Sequence, residues 1–409
     1  MINTKSLESV HKKTFFGLRN VDHLYNLNRI PNTIISKFGY EKEKILPTDV
    51  FLGSNKTYNK IILFVLDAFG YNQYERLKDH HPFFKWVTGS GVVSKLTTQF
   101  PSTTTNNITT LQAGLPVSET GIYEWYIYEP IIDAVYNPLT YRYAYTKDEV
   151  KENYDQLLPF TTIYEKLPVK SYIFQLNRFC ESPYSFWMRK GSEVISYTSY
   201  QEGLERLVDV VNKDERSYCY FYIGDFDDAC HDFGPDSYEA HKCITDIFNA
   251  LDKAIKKIKD NQEVLIMITA DHGQVPIDPT KTIYINTKFP EILQYVKRNK
   301  IGEYLAPCGS CRDLFLHVYP ERLDFVISFL KDKLQDKAEV YPTTELLNAG
   351  LFGDNPSQRL LERLGNIVIL PNDNLTVFWY EESKFQVKHL GMHGGLTSTE
   401  MEVPLLVLP

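Results

Sequence analysis

Three aspartates that follow apolar runs are the first candidates for chemistry in this sequence. Asp67 and Asp271 each come directly after such a run, and Asp227 comes four residues after a third one. The runs are residues 60–66, 264–270 and 218–223. Strands buried in a parallel sheet have this composition, and their carboxyl ends meet at one edge. Gathered carboxylates raise one another's pKa unless cations neutralise them, so the pattern predicts a metal site.

Histidines accompany these aspartates. His272 directly follows Asp271, His231 comes four residues after Asp227, and His393 lies in a Gly-Met-His-Gly-Gly motif near the end of the chain. Carboxylate and imidazole together are ligands that suit Zn²⁺. Each motif alone is also typical of an ordinary turn or helix cap. Their joint occurrence at strand ends favours a shared metal site.

Residues 100–114, FPSTTTNNITTLQAG, form a hydroxyl-rich stretch that leads into a predicted helix. One interpretation is a helix cap followed by threonines that have only a structural role. The other is a hydroxyl nucleophile at a helix N-terminus, where backbone N–H groups and the helix dipole favour a phosphoryl group. A threonine hydroxyl is a weak nucleophile at neutral pH and needs a metal or a base to activate it. The predicted metal site would meet that need.

The elements that must position these residues alternate between strands and helices. Weaker strand candidates are residues 171–175 and the C-terminal stretch 403–408, and residues 237–259 repeat apolar residues at helical spacing. Such alternation indicates βαβ units. We therefore predict an α/β fold with a mostly parallel central sheet and helices on both faces.

The pattern of predicted strands and helices changes between residues 280 and 388. Strand-like segments and a helix-like segment, residues 322–334, stand there between the third apolar run and the last one. We expect an inserted cap domain of small α+β type over 280–388. The catalytic core would then comprise residues 1–279 and 389–409.

Composition excludes several classes of protein. The 409 residues are 43% hydrophobic and 23% charged, as in globular proteins, and the formal net charge is −8. That charge argues against stable nucleic-acid binding. The first residues lack a signal-peptide pattern, and the longest apolar runs are far shorter than the ~20 residues of a membrane helix. We expect a cytoplasmic protein without membrane association, whose six cysteines are not a disulfide framework.

Five motifs in order carry a resemblance to a known family. They are LDAFG (66–70), FPSTTTNNITTLQAG (100–114), DDACHDFGP (227–235), TADHG (269–273) and MHGG (392–395). Over residues 60–275 and 389–409 the sequence resembles the alkaline phosphatase superfamily and, within it, the type I phosphodiesterase/nucleotide pyrophosphatase family. The resemblance implies an alkaline phosphatase-like fold. It also implies hydrolysis of phosphodiester or nucleotide pyrophosphate bonds through a phospho-threonine intermediate.

The resemblance also implies how the site residues are divided between two divalent cations, Zn²⁺ or alternatively Mn²⁺. One ion would be held by Asp67, Thr104, Asp271 and His272. The other would be held by Asp227, His231 and His393. The family places its threonine three residues after a proline and ten before a glycine. Pro101 and Gly114 put that nucleophile at Thr104.

The sequence departs from the family where phosphate is held. The diesterases carry an Asp-Asn pair after the nucleophile helix, and here Trp125 stands in place of the asparagine, preceded by Glu124. Trp125 and Asn107, which matches the family pattern, are candidate substrate contacts. Arg312 is a third candidate because a guanidinium binds phosphate bidentately, although it could equally be an ordinary surface arginine.

Alternative functions stay open at this point. The same metal site would serve a phosphomonoesterase, and a catalytically idle relative would bind a phosphorylated ligand. In each case the expected partner is a small-molecule phosphate ester or nucleotide. His389 is an alternative ligand to His393, although the family register favours His393.

Overall fold

A twisted sheet forms the centre of the protein. The computed structural model describes residues 1–213, 215–258 and 263–408, and within these ranges the sheet has seven strands. We number them in chain order as β1 Lys60–Leu66, β2 Val92–Thr97, β3 Lys170–Leu176, β4 Glu193–Tyr197, β5 Ser217–Ile223, β6 Val264–Thr269 and β7 Glu402–Leu408.

The sheet is parallel except for its C-terminal strand. The order across it is β2-β7-β6-β1-β5-β3-β4. Strand β7 runs antiparallel to both of its neighbours, whereas β1 pairs in parallel with β5 and β6. Because β1, β5 and β6 are adjacent and share a direction, their carboxyl ends lie side by side. The prediction of a mostly parallel α/β sheet is confirmed, and the three apolar runs are its central strands.

The central strands are apolar because both faces of the sheet are covered. Every residue of β6 and β7 is buried, as is every residue of β1 after Lys60. A strand with one solvated face would alternate in polarity, and these do not. The helices that cover the sheet join its strands, which gives the alternation that the sequence predicts.

Two helices carry residues of the site, α1 Thr104–Ala113 and α2 Asp225–Phe233. A third helix, α3 Tyr238–Ile255, packs against α2. Helix α3 coincides with the predicted helix 237–259, whose last residue, Lys259, lies outside the described residues. The other α-helices span Thr4–Lys12, Ile30–Lys37, Tyr71–Leu77, Pro82–Ser90, Val117–Thr120, Tyr154–Leu157, Ile163–Lys166, Asn177–Cys180, Pro183–Met188, Tyr200–Val211, Ile285–Lys288, Leu323–Leu334, Thr343–Asn348, Gln358–Arg363 and Ser398–Met401.

Smaller sheets lie outside the central one. One three-stranded antiparallel sheet is formed by Leu314–Leu316, Ala338–Pro342 and Ile367–Pro371, and another by Ile127–Glu129, Ala134–Asn137 and Arg142–Tyr143. Two-stranded pairs join Thr14–Phe15 to Leu18–Arg19, Val275–Pro276 to Gly391–Met392, and Ile283–Tyr284 to Val377–Phe378.

The region 280–388 has the predicted mixture of short strands and helices. Its proposed boundaries fall between the paired strands Val275–Pro276 and Gly391–Met392. Its apolar residues form one continuous cluster with apolar residues of the region 100–158, as the contact of Phe100 with Phe352 illustrates. That the region is a separate cap domain stays a prediction. Among the described residues, no helix is both long and apolar enough to cross a lipid bilayer.

Candidate functional site

The backbone at the ends of the central strands brings the three aspartates to one edge. Asp67 directly follows β1, and its N–H donates to the carbonyl of Ile223 at 2.9 Å. Asp271 comes two residues after the end of β6. Asp227 lies in the first turn of α2, which follows β5, and His231 is one helical turn further on the same face.

The hydroxyl-rich stretch forms the start of helix α1. Thr103 is the N-cap residue, and its hydroxyl accepts from the N–H of Asn106 at 3.4 Å. Thr104 is therefore the first residue of the helix. Its hydroxyl lies 2.9 Å from Nε2 of His272, whereas Thr105 is buried. The loop before the helix is held in place because the amide of Asn106 donates to the carbonyl of Pro101 at 2.9 Å.

Four of the predicted ligands form a first cluster around Nε2 of His272. This atom lies 3.3 Å from Oδ1 of Asp67, 3.6 Å from Oδ2 of Asp271 and 2.9 Å from the hydroxyl of Thr104. One ligand atom from each of Asp67, Asp271 and His272 lies within 4.8 Å of the others. The structure thus brings together the set that the sequence predicts for one ion.

The remaining predicted ligands lie immediately beside this cluster. Ligand atoms of Asp227, His272 and His393 also lie within 4.8 Å of one another, and the rings of His272 and His393 stack at 3.7 Å. Nε2 of His231 lies 3.2 Å from Oδ2 of Asp227, and its ring centre is 5.5 Å from that of His393. His272 therefore adjoins both predicted sets; five of the seven residues line one pocket, and the fully buried Asp271 and His272 lie directly behind them.

The electrostatics of the cluster show an excess of buried negative charge. Burial, reinforced by Asp227, raises the pKa of Asp67 well above its ordinary value, and burial also raises the pKa of Asp271. Oδ1 of Asp67 and Oδ2 of Asp271 are buried without a hydrogen-bond partner among the described residues. Unpartnered buried carboxylate oxygens are costly unless a cation binds them.

The aspartate on α2 behaves differently because imidazoles surround it. Burial opposes ionisation of Asp227, but His231, His393 and His272 together hold its pKa below the ordinary value. Burial lowers the pKa of His231, but Asp227 outweighs it and raises that pKa to about 9. Burial and His272 hold the pKa of His393 well below its ordinary value, so its ring is neutral and can act as a ligand. The donor set, carboxylates and imidazoles with unsatisfied oxygens, fits divalent cations.

Backbone carbonyls orient the imidazoles. Nδ1 of His231 lies 2.7 Å from the carbonyl of Gly391, Nδ1 of His393 lies 3.2 Å from that of Ser102, and Nδ1 of His272 lies 3.2 Å from that of Gly273. A hydrogen bond from Nδ1–H to each carbonyl turns Nε2 toward the other site residues, where it can act as the ligand atom.

The pocket opens into a cavity of about 660 Å³. Aromatic side chains contribute much of its wall, including Trp125, Tyr126, Phe179, Tyr184, Phe378 and Phe385. Trp125 lines this cavity and is 43% exposed, and its predicted contact with a substrate stays a prediction. His389 also lines the cavity, with its ring centre 4.5 Å from that of His231.

The structure does not place Arg312 or Asn107 where a substrate could reach them. All three nitrogens of the Arg312 guanidinium donate hydrogen bonds within the protein. Nε and Nη2 donate to the buried carboxylate of Glu400 at 2.9 and 3.0 Å, and Nη1 donates to the carbonyl of Leu375. Asn107 is fully buried in α1, where its amide donates to the carbonyl of Thr103 and accepts from the N–H of Gln99. Neither residue lines the cavity, because each satisfies a buried structural contact, and a role for either as a substrate contact stays a prediction.

Two residues at the site were missed from the sequence. The hydroxyl of Tyr222 donates to Oδ2 of Asp67, and the amide of Gln274 donates to Oδ1 of Asp227. Gln274 stands two residues after His272 in ADHGQ, which was a usable signal. Nothing distinguishes Tyr222 from its aromatic neighbours in β5 except its place next to the carboxyl end of the strand.

Comparisons with solved structures agree on the fold. The chain is 16% identical to human ectonucleotide pyrophosphatase/phosphodiesterase 5, with a TM-score of 0.62 over 85% of this chain and 87% of that one. It is 17% identical to an inactive threonine-to-alanine variant of the murine protein in complex with AMP, with a TM-score of 0.61 over 85% of this chain and 87% of that one. It is 18% identical to phosphonoacetate hydrolase from Sinorhizobium meliloti 1021 in complex with phosphonoformate, with a TM-score of 0.60 over 85% of this chain and 89% of that one. No curated protein matched the chain in a sequence comparison.

A family model identifies the chain more specifically. The model for type I phosphodiesterase/nucleotide pyrophosphatase matches residues 61–396, which is most of the 409-residue sequence. The match includes the three strand-end aspartates, Thr104 and the final histidine. The chain therefore belongs to the type I phosphodiesterase/nucleotide pyrophosphatase family and is a phosphoric ester hydrolase with a metal site.

Proposed function

We propose that the protein hydrolyses phosphodiester or nucleotide pyrophosphate bonds through a covalent phosphoryl ester of Thr104. The observation that carries the proposal is the position of the Thr104 hydroxyl. It lies at the N-terminus of α1, 2.9 Å from Nε2 of His272, beside carboxylate oxygens for which the described residues supply no hydrogen-bond partner. A hydroxyl in that setting is positioned for nucleophilic attack on an electron-poor phosphorus.

Two divalent cations would complete the site. Asp67, Thr104, Asp271 and His272 would hold one, and Asp227, His231 and His393 would hold the other. Bound there, such ions lower the pKa of a hydroxyl and neutralise the charge that develops on phosphoryl oxygens. The mixture of histidine and aspartate favours Zn²⁺, with Mn²⁺ as the alternative.

The residues of the chain then account for two successive displacements. The oxygen of Thr104 attacks phosphorus, its proton passes to solvent, and the P–O bond to the leaving group breaks. Water next attacks the phosphorus of the threonine ester, and the bond to the Thr104 oxygen breaks, which regenerates the hydroxyl. Each displacement inverts the phosphorus, so the overall reaction retains its configuration. Backbone N–H groups at the start of α1 favour the anionic phosphoryl group throughout.

The cavity supports a substrate larger than a simple phosphate monoester. Its volume of about 660 Å³ and its aromatic wall suit a nucleotide, whose base can lie against Trp125 or Tyr126. One relative of similar fold supports the proposal. The murine relative binds AMP and is inactive when a threonine is replaced by alanine.

A panel of esters tests the proposal. The purified protein, loaded with Zn²⁺ or Mn²⁺ and assayed for metal content, is offered bis(p-nitrophenyl) phosphate, p-nitrophenyl phosphate, a dinucleotide pyrophosphate and phosphonoacetate. We expect faster hydrolysis of the diester and the pyrophosphate. Preference for the monoester would make the protein a phosphomonoesterase. Phosphonoacetate cleavage would indicate P–C bond hydrolysis, and binding without turnover would indicate a phospho-ligand binder.

We also propose that the enzyme works in the cytoplasm. All six cysteines are unpaired, and four of them are buried, which suits a reducing compartment. Immunolocalisation of the tagged protein tests this placement, and detection in the culture medium would contradict it.

A further inference from the structure

The loop before helix α1 is bonded to the segment that carries His393. Ser102, two residues before Thr104, lies in that loop and is fully buried. Its hydroxyl donates to the carbonyl of Gly395 at 2.8 Å, and its N–H donates to the carbonyl of Gly394 at 3.4 Å. Its own carbonyl lies 3.2 Å from Nδ1 of His393. One serine therefore contacts three consecutive residues of the segment that carries a predicted metal ligand.

On the nucleophile side, the position of Ser102 is fixed relative to Thr104. Both residues belong to a tight turn in which the N–H of Thr103 donates to the carbonyl of Pro101 at 2.9 Å. The side-chain amide of Asn106 donates to the same carbonyl, also at 2.9 Å. Because the first turn of α1 holds this loop, a displacement of Ser102 also displaces Thr104.

On the other side, the segment after His393 is packed tightly against the fold. The N–H of Gly395 donates to the buried carboxylate of Glu400 at 3.0 Å. A Cβ on Gly394 would lie 2.7 Å from the hydroxyl of Ser310, so a side chain at this position would displace its neighbours. The same hydroxyl lies 3.3 Å from the carbonyl of His393. Hydrogen bonds and close packing thus confine the backbone that carries this histidine.

We propose that Ser102 is a positioning residue that holds Thr104 and His393 in fixed relative positions. The inference rests on the proposed function, in which Thr104 is the nucleophile and His393 binds a cation. Ser102 is fully buried and does not line the cavity, so its effect is exerted through the residues that it connects. Groups that orient a metal ligand change metal affinity or activity about 10–100-fold in other metalloproteins.

Removal of the hydroxyl tests the proposal. In Ser102→Ala, we expect one of two metal equivalents per chain to bind about 10-fold more weakly. We also expect kcat to fall about 10-fold with KM little changed, because a small shift of a reacting group takes the bound substrate out of the reactive geometry. Ser102→Thr retains the hydroxyl and should recover most of both losses. Titration with a chromophoric chelator measures the affinity, and steady-state kinetics with a diester measure turnover.

Ser6→Ala is the matched control. Ser6 is also fully buried, and its hydroxyl donates to the carbonyl of Asn3 at 2.8 Å, at the start of the helix Thr4–Lys12. A merely structural hydroxyl would lower thermal stability and leave metal affinity unchanged in both alanine variants. We expect Ser6→Ala to keep the wild-type metal affinity and kcat. Circular dichroism and thermal unfolding must show that all variants are folded.

Hydrogen–deuterium exchange provides a readout that does not depend on turnover. Zn²⁺ should slow exchange in residues 102–106 even in Thr104→Ala, which lacks the loop's own predicted ligand, because fixing His393 also fixes the loop bonded to it. Adding Ser102→Ala to this variant should diminish the slowing, and adding Ser6→Ala should not. If the wild-type protein hydrolyses no ester, the proposed function fails, while metal affinity and exchange still decide whether Ser102 couples the two segments.

Three results would overturn the inference. Equal metal affinities and kcat values in Ser102→Ala and Ser6→Ala would make the hydroxyl of Ser102 merely structural. Losses in Ser102→Thr as large as those in Ser102→Ala would show that the hydroxyl is not the group responsible. Exchange in residues 102–106 that does not respond to Zn²⁺ in Thr104→Ala would show that the loop and His393 are not coupled.

Discussion

At the scale of single residues, the proposed reaction depends on the hydroxyl of Thr104 and on the hydrogen bonds that orient the side chains around it. Thr104 contacts His272, and Oδ2 of Asp67 accepts a hydrogen bond from Tyr222, whereas Oδ1 of Asp67 has no hydrogen-bond donor within the described part of the chain. Such contacts fix which atom of a carboxylate or imidazole faces the ion. Two substitutions separate the nucleophile from its supports.

Replacing Thr104 by alanine should remove the nucleophile and spare the rest of the site. We expect kcat to fall by at least about 1,000-fold, in the range seen when other enzymes lose a nucleophile. Thr104→Ser retains the hydroxyl and should keep far more activity. Steady-state kinetics and elemental analysis of both variants provide the measurement. Unchanged activity in Thr104→Ala would place the nucleophile elsewhere, with Thr103 and Thr105 as the neighbours to examine.

Replacing Tyr222 by phenylalanine should weaken metal binding without unfolding the protein. Loss of a hydrogen bond to a ligand costs about 10–100-fold in metal affinity in other metalloproteins. Tyr218→Phe in the same strand is the control, because its buried hydroxyl has no partner among the described residues. Competition with a chromophoric chelator measures the affinity, and equal affinities for the two variants would refute a positioning role for Tyr222.

At the scale of elements, strand ends and helix starts place the reactive groups, and side-chain contacts join distant segments. The guanidinium of Arg312 fastens the loop that follows Gly309 to the buried carboxylate of Glu400 in the helix Ser398–Met401. That same carboxylate also caps its helix by accepting from Thr397. The contact connects the predicted cap region to the segment that carries His393.

Replacing Arg312 by methionine should therefore destabilise the fold and leave catalysis in the folded molecules intact. Leaving Glu400 buried and unpaired costs about 3–5 kcal/mol in the free energy of unfolding, as in other buried ion pairs. Urea denaturation measures this cost, and KM measured at low temperature should match the wild-type value. A raised KM with undiminished stability would return Arg312 to the list of phosphate ligands.

The sequence was sufficient for what local patterns encode. Buried strands can be recognised in the sequence as continuous apolar runs, and Asp67, Asp271 and His272 directly follow such runs. The buried contact of Arg312 could not be predicted, because its partner cannot be inferred from spacing: Glu400 is 88 residues from Arg312. The contacts of Asn107 are local, with Thr103 and Gln99. Tyr222 was missed because its hydroxyl reaches Asp67 across two adjacent strands. Contacts between remote segments can be identified only once the fold is known, because the sequence alone indicates only which residues are able to make them.

At the scale of the whole molecule, stability and pH are linked through the buried acids of the metal-free protein. The folded-state pKa values of Asp67 and Asp271 are raised. Their contribution to stability is fully present below their unfolded pKa of ~4 and is lost as pH rises through the folded values. His231, whose pKa is raised to about 9, likewise contributes stability that is lost as pH rises through that value.

We therefore expect the metal-free protein to lose stability between about pH 6.5 and pH 9, because below about pH 6.5 the lowered pKa of His393 acts in the opposite direction, and we expect metal to restore stability most at the alkaline end. An ion present at 100 times its Kd stabilises the fold by about 2.7 kcal/mol. Thermal unfolding over this pH range, with chelator and with added Zn²⁺, provides the measurement. A metal-dependent stabilisation that is constant with pH would contradict the assignment of these acids as ligands.

The most direct test of the account is to trap the covalent intermediate. The metal-loaded enzyme is mixed with a diester substrate, quenched in acid within the first turnover and digested for mass spectrometry. The peptide that contains residues 100–114 should gain the mass of the transferred phosphoryl group on Thr104, and Thr104→Ala should show no such adduct. Rapid turnover with an unmodified peptide, or a phosphoryl adduct on another residue, would contradict the central claim.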